Sequence, residues 1–176
     1  MPGRIAVVDA ENRFVRWEDR HTIHVERLIH RSIHVLVFDS AGKLVIQRRH
    51  RDKQTHPGYW DMSCAGHVEE SDYTGGPDEE LDRVYAEVAA REVEEELGVS
   101  PTLSELAHFP PLAGVHYEQI RLFRATHDGP FTIQAEEVEE LQRVSPSELA
   151  ALGEQEPVTE ALRFFAAWAS ERGLWA

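Results

Sequence analysis

"REVEEELGV", residues 91–99, places four glutamates in five positions and closes on leucine, glycine and valine. On a helix, Glu92, Glu95 and Glu96 stand at i, i+3 and i+4 and share one face. Like charges at that spacing cost a helix a few tenths of a kcal/mol per pair. Gly98 reads as the residue that ends the helix, so the acids fall in its last turn, where the macrodipole disfavours negative charge. Local stability argues against this arrangement, and a positive charge from elsewhere is needed to balance it. Three carboxylates on one face suit a hard divalent cation such as Mg²⁺, which takes oxygen ligands and shares its sphere with substrate phosphates. The structural alternative is a solvated helix end, patched by Arg91 through Glu87 and Glu95 four residues to either side.

The surrounding chain bounds what such a helix can serve. Its 176 residues suffice for one domain with a full core, taken as 1–176. No apolar run approaches the roughly 20 residues that span a bilayer, and the first residues meet acids too early for a secretory signal. Cys64 is the only cysteine, which rules out an internal disulfide framework and a multi-cysteine metal site and points to a reducing cytoplasm. A formal charge of −14 excludes general nucleic-acid binding. Against that background "RRHRDK" at 48–53 is the densest basic cluster. It is either a solvated loop or a small anion-binding patch.

Local patterns give an order of elements. "IHVLVFD" (33–39) and "LVIQRR" (44–49) read as a strand pair joined by "SAGK", the first covered on both faces. "PGYWDMSCAGHV" adds a third extended piece. A turn-rich stretch follows, with Asp78 as helix cap, and a helix over about 79–97 buries Ala86, Ala89, Ala90, Val93 and Leu97. "ELAHFPPL" and "EQIRLFRAT" read as strands, and "AEEVEEL" (135–141) as a strand entry on the solvated side. Helices are expected at 145–152, capped by Ser145, and at 158–172, with Val158, Leu162, Phe165 and Trp168 inward. Strands with interleaved helices fit a mixed sheet packed between helices.

Residues 66–99, "GHVEESDYTGGPDEELDRVYAEVAAREVEEELGV", resemble the Nudix box, G-x5-E-x7-R-E-U-x-E-E-x-G-U, with U a bulky aliphatic residue. Gly66 matches the opening glycine. Arg91, Glu92, Val93, Glu95, Glu96, Gly98 and Val99 match the whole second half. The middle departs: the first-half glutamate falls on Asp72, and an insertion around 72–82 lengthens the box. "FDSAGKLVIQRRHRDKQTHPGYWDMSCAGHVEE" is similar to the Nudix branch that holds type I isopentenyl-diphosphate isomerase and its hydrolase relatives. The shared features are Arg48, Arg49, Lys53, Pro57-Gly58, Trp60 and Gly66-His67, and the resemblance covers roughly residues 30–145. It implies an α/β fold, the Nudix α/β/α sandwich with a mixed β-sheet.

The same resemblance implies the chemistry. Isomerases of this branch place a catalytic cysteine immediately before Gly-His, where this chain has Ala65. Cys64, one residue earlier on an extended segment, points to the opposite face. The isomerases also erode acids that are intact here. The expectation is therefore a Mg²⁺-dependent pyrophosphohydrolase, with Mn²⁺ as the alternative ion, cleaving a nucleoside diphosphate linked to another group. An isomerase and a non-catalytic nucleotide sensor are the other readings. Glu92, Glu95 and Glu96 would hold metal with the backbone carbonyl of Ala65, and Arg91 would orient them. Arg49, Lys53, Arg48 and His67 would contact the diphosphate. Glu118 is the candidate general base, with Glu95 or Glu96 as alternatives, and an exposed strand glutamate is the plain reading of it. His30 and His67 match positions where the isomerase builds a second metal site, with His24 and His116 as looser matches. No dedicated histidine-bound metal is expected here. The insertion is expected to shape leaving-group choice, the partner is a small-molecule diphosphate, and many relatives pair as homodimers.

Overall fold

The computed structural model describes residues 3–175. Its centre is β3 (His30–Phe38), nine residues without one exposed position, as the two-sided apolar run implies. On one side β3 pairs antiparallel with β1 (Arg4–Val8), β6 (Cys64–His67) and β4 (Leu44–Arg49), and along its length it runs parallel with β8 (Glu118–Thr126). β2 (Phe14–Asp19) extends the sheet beyond β1, β7 (Ser104–Phe109) pairs with β8, and β5 (Trp60–Asp61) and β9 (Val138–Val144) both pair with β4. One parallel pairing among antiparallel ones makes the sheet mixed.

Strand alternation then assigns the faces. Ile33, Val35 and Val37 pack under α2 (Leu81–Leu97) with Val88 and Val93. Leu36, Phe38 and Ile120 turn the other way, onto α4 (Glu160–Glu171), where Leu162 and Phe165 meet them. α3 (Pro146–Gln155) contributes Leu149 to that second core. The result is the α/β/α sandwich. A short helix, α1 (Arg20–Glu26), joins β2 to β3. Among the described residues no helix is long and apolar enough to cross a membrane.

Most expected elements lie where the patterns put them, with four departures. α2 begins at Leu81, after a left-handed Glu80 that caps nothing with its side chain, because Asp78 is committed elsewhere. Its carboxylate pairs with Arg31 at 2.6 Å and accepts from the Phe14 amide. Ala86 and Ala90 are exposed, and Val84 and Tyr85 take the inward positions. The prolines after Phe109 end β7 early. The last helix starts at Glu160 with Thr159 as cap, leaving Val158 as a buried residue before it. Residues 4–26, whose strands and helix are too short to show a period, had no sequence assignment.

Candidate functional site

α2 ends where the sequence stops it. Gly98 adopts φ +66°, and a Cβ there would fall 2.7 Å from the Thr132 carbonyl oxygen. The chain at 132–134 lies against this end: the Thr132 amide donates to the Leu97 carbonyl (3.0 Å) and the Gln134 amide to the Glu96 carbonyl (3.1 Å). Orphan carbonyls of the last turn are thus satisfied, and the following loop, with Glu136 and Glu137, is fixed beside the acids.

The acids themselves differ in setting. Glu96 is buried, and its Oε2 accepts from Gln47 Nε2 at 2.8 Å. Burial raises its proton affinity, against the pull of Gln47, Lys53, Cys64 and Arg49. Glu92 lies so close to Gly66 that a Cβ there would sit 2.4 Å from its Cδ. The glycine is therefore required by close approach of the carboxylate. Burial, opposed by Arg91 and reinforced by the charges of Glu96 and Glu95, pushes Glu92 up to about 7. Glu95 is exposed. Arg91 pairs with Glu92 (3.0 Å) and with Asp72 (3.4 Å). It does not reach Glu87, which Arg83 takes at 2.7 Å. Arg91 therefore meets Glu92 and Asp72 in place of the i±4 partners its spacing suggested.

The basic cluster divides. Arg49 donates to the Thr55 carbonyl and hydroxyl and pairs with Asp61 at 3.1 Å. Lys53 pairs with Glu137. Burial and the neighbouring Arg49 lower its pKa, while Glu96 and Glu92 act in the opposite sense. Arg49 and Lys53 therefore stand together beside the α2 acids. Arg48 does not join them: strand alternation turns it over Trp60 and toward Glu156 at 3.6 Å.

Histidines gather on the opposite face of the sheet from α2. His30 and His34 stand four residues apart on one face of β3, and Glu118 opposes His30 in the parallel ladder. His67 comes from β6. The His30 Nε2, His67 Nε2 and Glu118 ligand atoms lie within 4.8 Å of one another, the only such trio among the described residues. His30 Nδ1 meets the Leu28 carbonyl at 2.9 Å. A carbonyl only accepts, so Nδ1 carries the hydrogen and Nε2 presents its lone pair. That Nε2 faces a Glu118 carboxylate oxygen at 3.3 Å. Two acceptors at that range need a cation between them, either a proton or a metal ion. Burial alone would raise Glu118, but His30, His34 and His67 outweigh it and hold the carboxyl well below the ordinary range. Burial and His30 in turn hold His67 well below its usual value. Sequence reasoning did not single out His34. Its signal was the i, i+4 spacing from His30 within a strand, which fixes a shared face.

Ala65 opposes His34 across the β3–β6 ladder and shares the histidine face, whereas Cys64 is buried under α2 next to Glu96. The position of the isomerase cysteine thus holds a methyl group. A pocket of about 260 Å³ lies beside Lys53 and Glu137. α1 lends Arg20 and His24 to it, with His24 Nδ1 bonded to Tyr117 Oη at 2.8 Å. Its other walls are the loop that carries Lys53 and the loop that carries Glu137.

The NUDIX domain family matches residues 28–167, and the chain belongs to that family. The uncharacterized Nudix hydrolase PA4841 of Pseudomonas aeruginosa is 37% identical over 143 residues, 81% of this chain and 78% of that protein. The uncharacterized Nudix hydrolase YfcD of Escherichia coli K12 is 30% identical over 171 residues, 93% of this chain and 85% of that one. Among solved structures, DR0079 of Deinococcus radiodurans superposes with a TM-score of 0.72 at 22% identity, over 89% of this chain and 92% of that one. The last likeness is one of fold. Family and relatives together make this chain a hydrolase of phosphoanhydride bonds.

Proposed function

We propose that this Nudix family member is a Mg²⁺-dependent pyrophosphohydrolase whose substrate is a nucleoside diphosphate linked to a second group. The observation that supports it best is the crowding of Glu92, Glu95 and Glu96 at a helix end where Glu92 is pushed up to about 7. A site that raises its own acids in the absence of a cation is one that a cation would stabilise. The donors fit a hard ion: carboxylate oxygens on α2 and the main chain of Ala65–Gly66, with Glu92 already in contact at Gly66. Bound there, Mg²⁺ would supply charge neutralisation on the diphosphate and lower the pKa of an attacking water.

The chain's own groups do the rest. Arg49 and Lys53 hold the diphosphate, the first by a fork and the second as a point charge. Gln47 orients Glu96, and Arg91 orients Glu92. Proton removal from water falls to Glu95, the exposed acid of the three, whereas Glu118 stands among the histidines on the other face of the sheet. His30, His67 and Glu118 would hold a second cation, of the kind imidazole and carboxylate share. The bare His30 and His67 Nε2 atoms, both buried without a hydrogen-bond partner, and the Leu28 carbonyl that fixes the His30 tautomer support that assignment.

The test is release of nucleotide from a panel of diphosphate compounds, with Mg²⁺ and with chelator, for the wild type and Glu95→Gln. Metal-dependent cleavage lost by orders of magnitude in the variant is expected. Ligand binding that needs no metal and survives the variant, with no turnover, would make the protein a sensor instead. Metal analysis of the purified protein, before and after His67→Gln, tests the second cation without reference to turnover.

A further inference from the structure

The Arg49 guanidinium is anchored from behind before any substrate arrives. An arginine carries five N–H groups in a fixed fork. Nε and Nη2 donate to the Thr55 carbonyl and hydroxyl, both at 3.0 Å, and Nη1 donates to Asp61 Oδ2 at 3.1 Å. One N–H on Nη1 and one on Nη2 find no partner among the described residues. A bidentate phosphate contact takes that pair. Their direction is set by the groups behind them. Thr55 belongs to the loop between β4 and β5, so Asp61 is the anchor that stands on the sheet.

Asp61 is buried, and both of its oxygens are committed. Oδ2 accepts from Arg49, while Oδ1 accepts from the Met62 amide at 2.9 Å and the Thr159 hydroxyl at 2.8 Å. Thr159 is buried too, and it caps α4 by accepting from the Leu162 amide at 3.2 Å. A hydroxyl has one hydrogen, and the capping bond uses a lone pair, so that hydrogen goes to Asp61. Capping alone does not require this second bond. The main chain fixes the same junction: the Thr159 amide donates to the Trp60 carbonyl and the Trp60 amide to the Pro157 carbonyl, both at 2.9 Å. Asp61 also opposes Gln47 in the β4–β5 ladder, and Gln47 holds Glu96. One rung of the sheet thus steadies an acid of the α2 cluster and the arginine beside it.

We propose that Asp61, oriented from α4 by Thr159, is a positioning residue for the diphosphate: it holds Arg49 with its two free N–H groups turned to the phosphate oxygens. The start of α4, remote in sequence from the acids and the basic cluster, then belongs to the substrate clamp. A carboxylate suits the task because it only accepts. An amide at the same place would turn its NH₂ either on Arg49 or on Thr159 and Met62, and lose one side of the relay. This inference rests on the reading that places the diphosphate on Arg49.

The experiment is a double-mutant cycle read by calorimetric binding of α,β-methylene-ADP with Mg²⁺, which needs no turnover. Arg49→Met and Asp61→Asn should each weaken binding about tenfold. The double variant should bind no worse than Arg49→Met alone, because Asp61 acts only through the arginine. On any diphosphate that the wild type cleaves, the Asp61→Asn loss should be carried by KM. Thr159→Val should weaken binding about threefold, and Thr159→Ser, which keeps the hydroxyl, should restore it. Wild-type binding in Asp61→Asn, or a loss repeated in full in the Arg49→Met background, would overturn the positioning role and leave the hydrolase reading standing. Wild-type binding in Arg49→Met would instead remove the diphosphate from Arg49, and this inference with it. If Arg49→Met does not fold, the Thr159 pair decides: equal binding by the valine and serine variants overturns the relay.

Discussion

The two faces of the sheet bury ionisable groups in opposite ways. Under α2 the buried groups are acids, and burial raises both: Glu92 is pushed up to about 7, and Glu96 is raised as well. Facing α4, one acid stands among histidines, and Glu118 is pushed down. The first face carries more negative charge than the protein balances. The second is close to balanced but keeps bare imidazole nitrogens. A few strand residues with period 2 produce both, since Cys64 and Gly66 look one way while Ala65 and His67 look the other. On the function proposed above, the charge imbalance is where a hard cation and phosphates would bind, and the orphaned nitrogens are where a borderline ion would bind.

The largest expected effect separates the faces directly. Glu96→Gln keeps shape and volume at a buried position but removes charge from the α2 cluster. Turnover should fall about a thousandfold, roughly 4 kcal/mol of transition-state stabilisation. Glu118→Gln removes charge from the histidine face and should act first on retention of the proposed second cation, read by metal analysis. If Glu118→Gln alone abolished Mg²⁺-dependent turnover while Glu96→Gln spared it, the roles of the two faces would be exchanged.

The pH dependence of stability differs in sign between them. Glu92 has its folded pKa raised from 4.5 to about 7. Its contribution is complete below 4.5 and is lost as pH climbs to about 7, roughly 3 kcal/mol in all. His34 and His67 are depressed below 6.5, chiefly by burial, so their contribution is present above 6.5 and lost on acidification. Urea midpoints of metal-free protein between pH 4.5 and 7 should rise in Glu92→Gln relative to wild type, most at pH 7. Mg²⁺ should narrow that gap by stabilising the wild type. A gap that does not grow with pH would mean that Glu92 is not the strained acid.

The α2 face was legible in the sequence because helical spacing lists its acids in order. Gly98 ends α2, Glu92 and Glu96 fall in its last turns, and Gly66 admits the Glu92 carboxylate, as the spacing of "REVEEELGV" and the opening glycine imply. The histidine face was half legible. Its members come from three strands, and only the parallel β3–β8 pairing brings Glu118 to His30, which no local pattern states. The pocket wall that α1 supplies was hidden further, since α1 has seven residues and no period long enough to read. Arg48 parts from Arg49 for a smaller reason: neighbouring residues on a strand face opposite ways, and Arg48 turns over Trp60.

The insertion provides the smallest effect and the sharpest reading of distance. Sequence order placed it at the mouth of the site. The structure keeps only Asp72 there, on Arg91. Tyr73, Pro77 and Asp78 run back to the start of α2 and close on Arg31, a fully buried arginine that also donates to Asn12. Leu81 and Glu95 are separated by about 20 Å of helix. Arg31 thus braces the insertion against the β1–β2 hairpin, and Arg31→Met should cost about 3 kcal/mol through the polar groups it strands. Tyr73→Phe removes one bond of 3.1 Å to Arg31 and leaves the others, so it should cost about 1 kcal/mol in urea unfolding. Relative rates across the substrate panel should stay as in the wild type. A shifted substrate profile at unchanged stability would return the insertion to the site, and with it the role that its place in the sequence suggests.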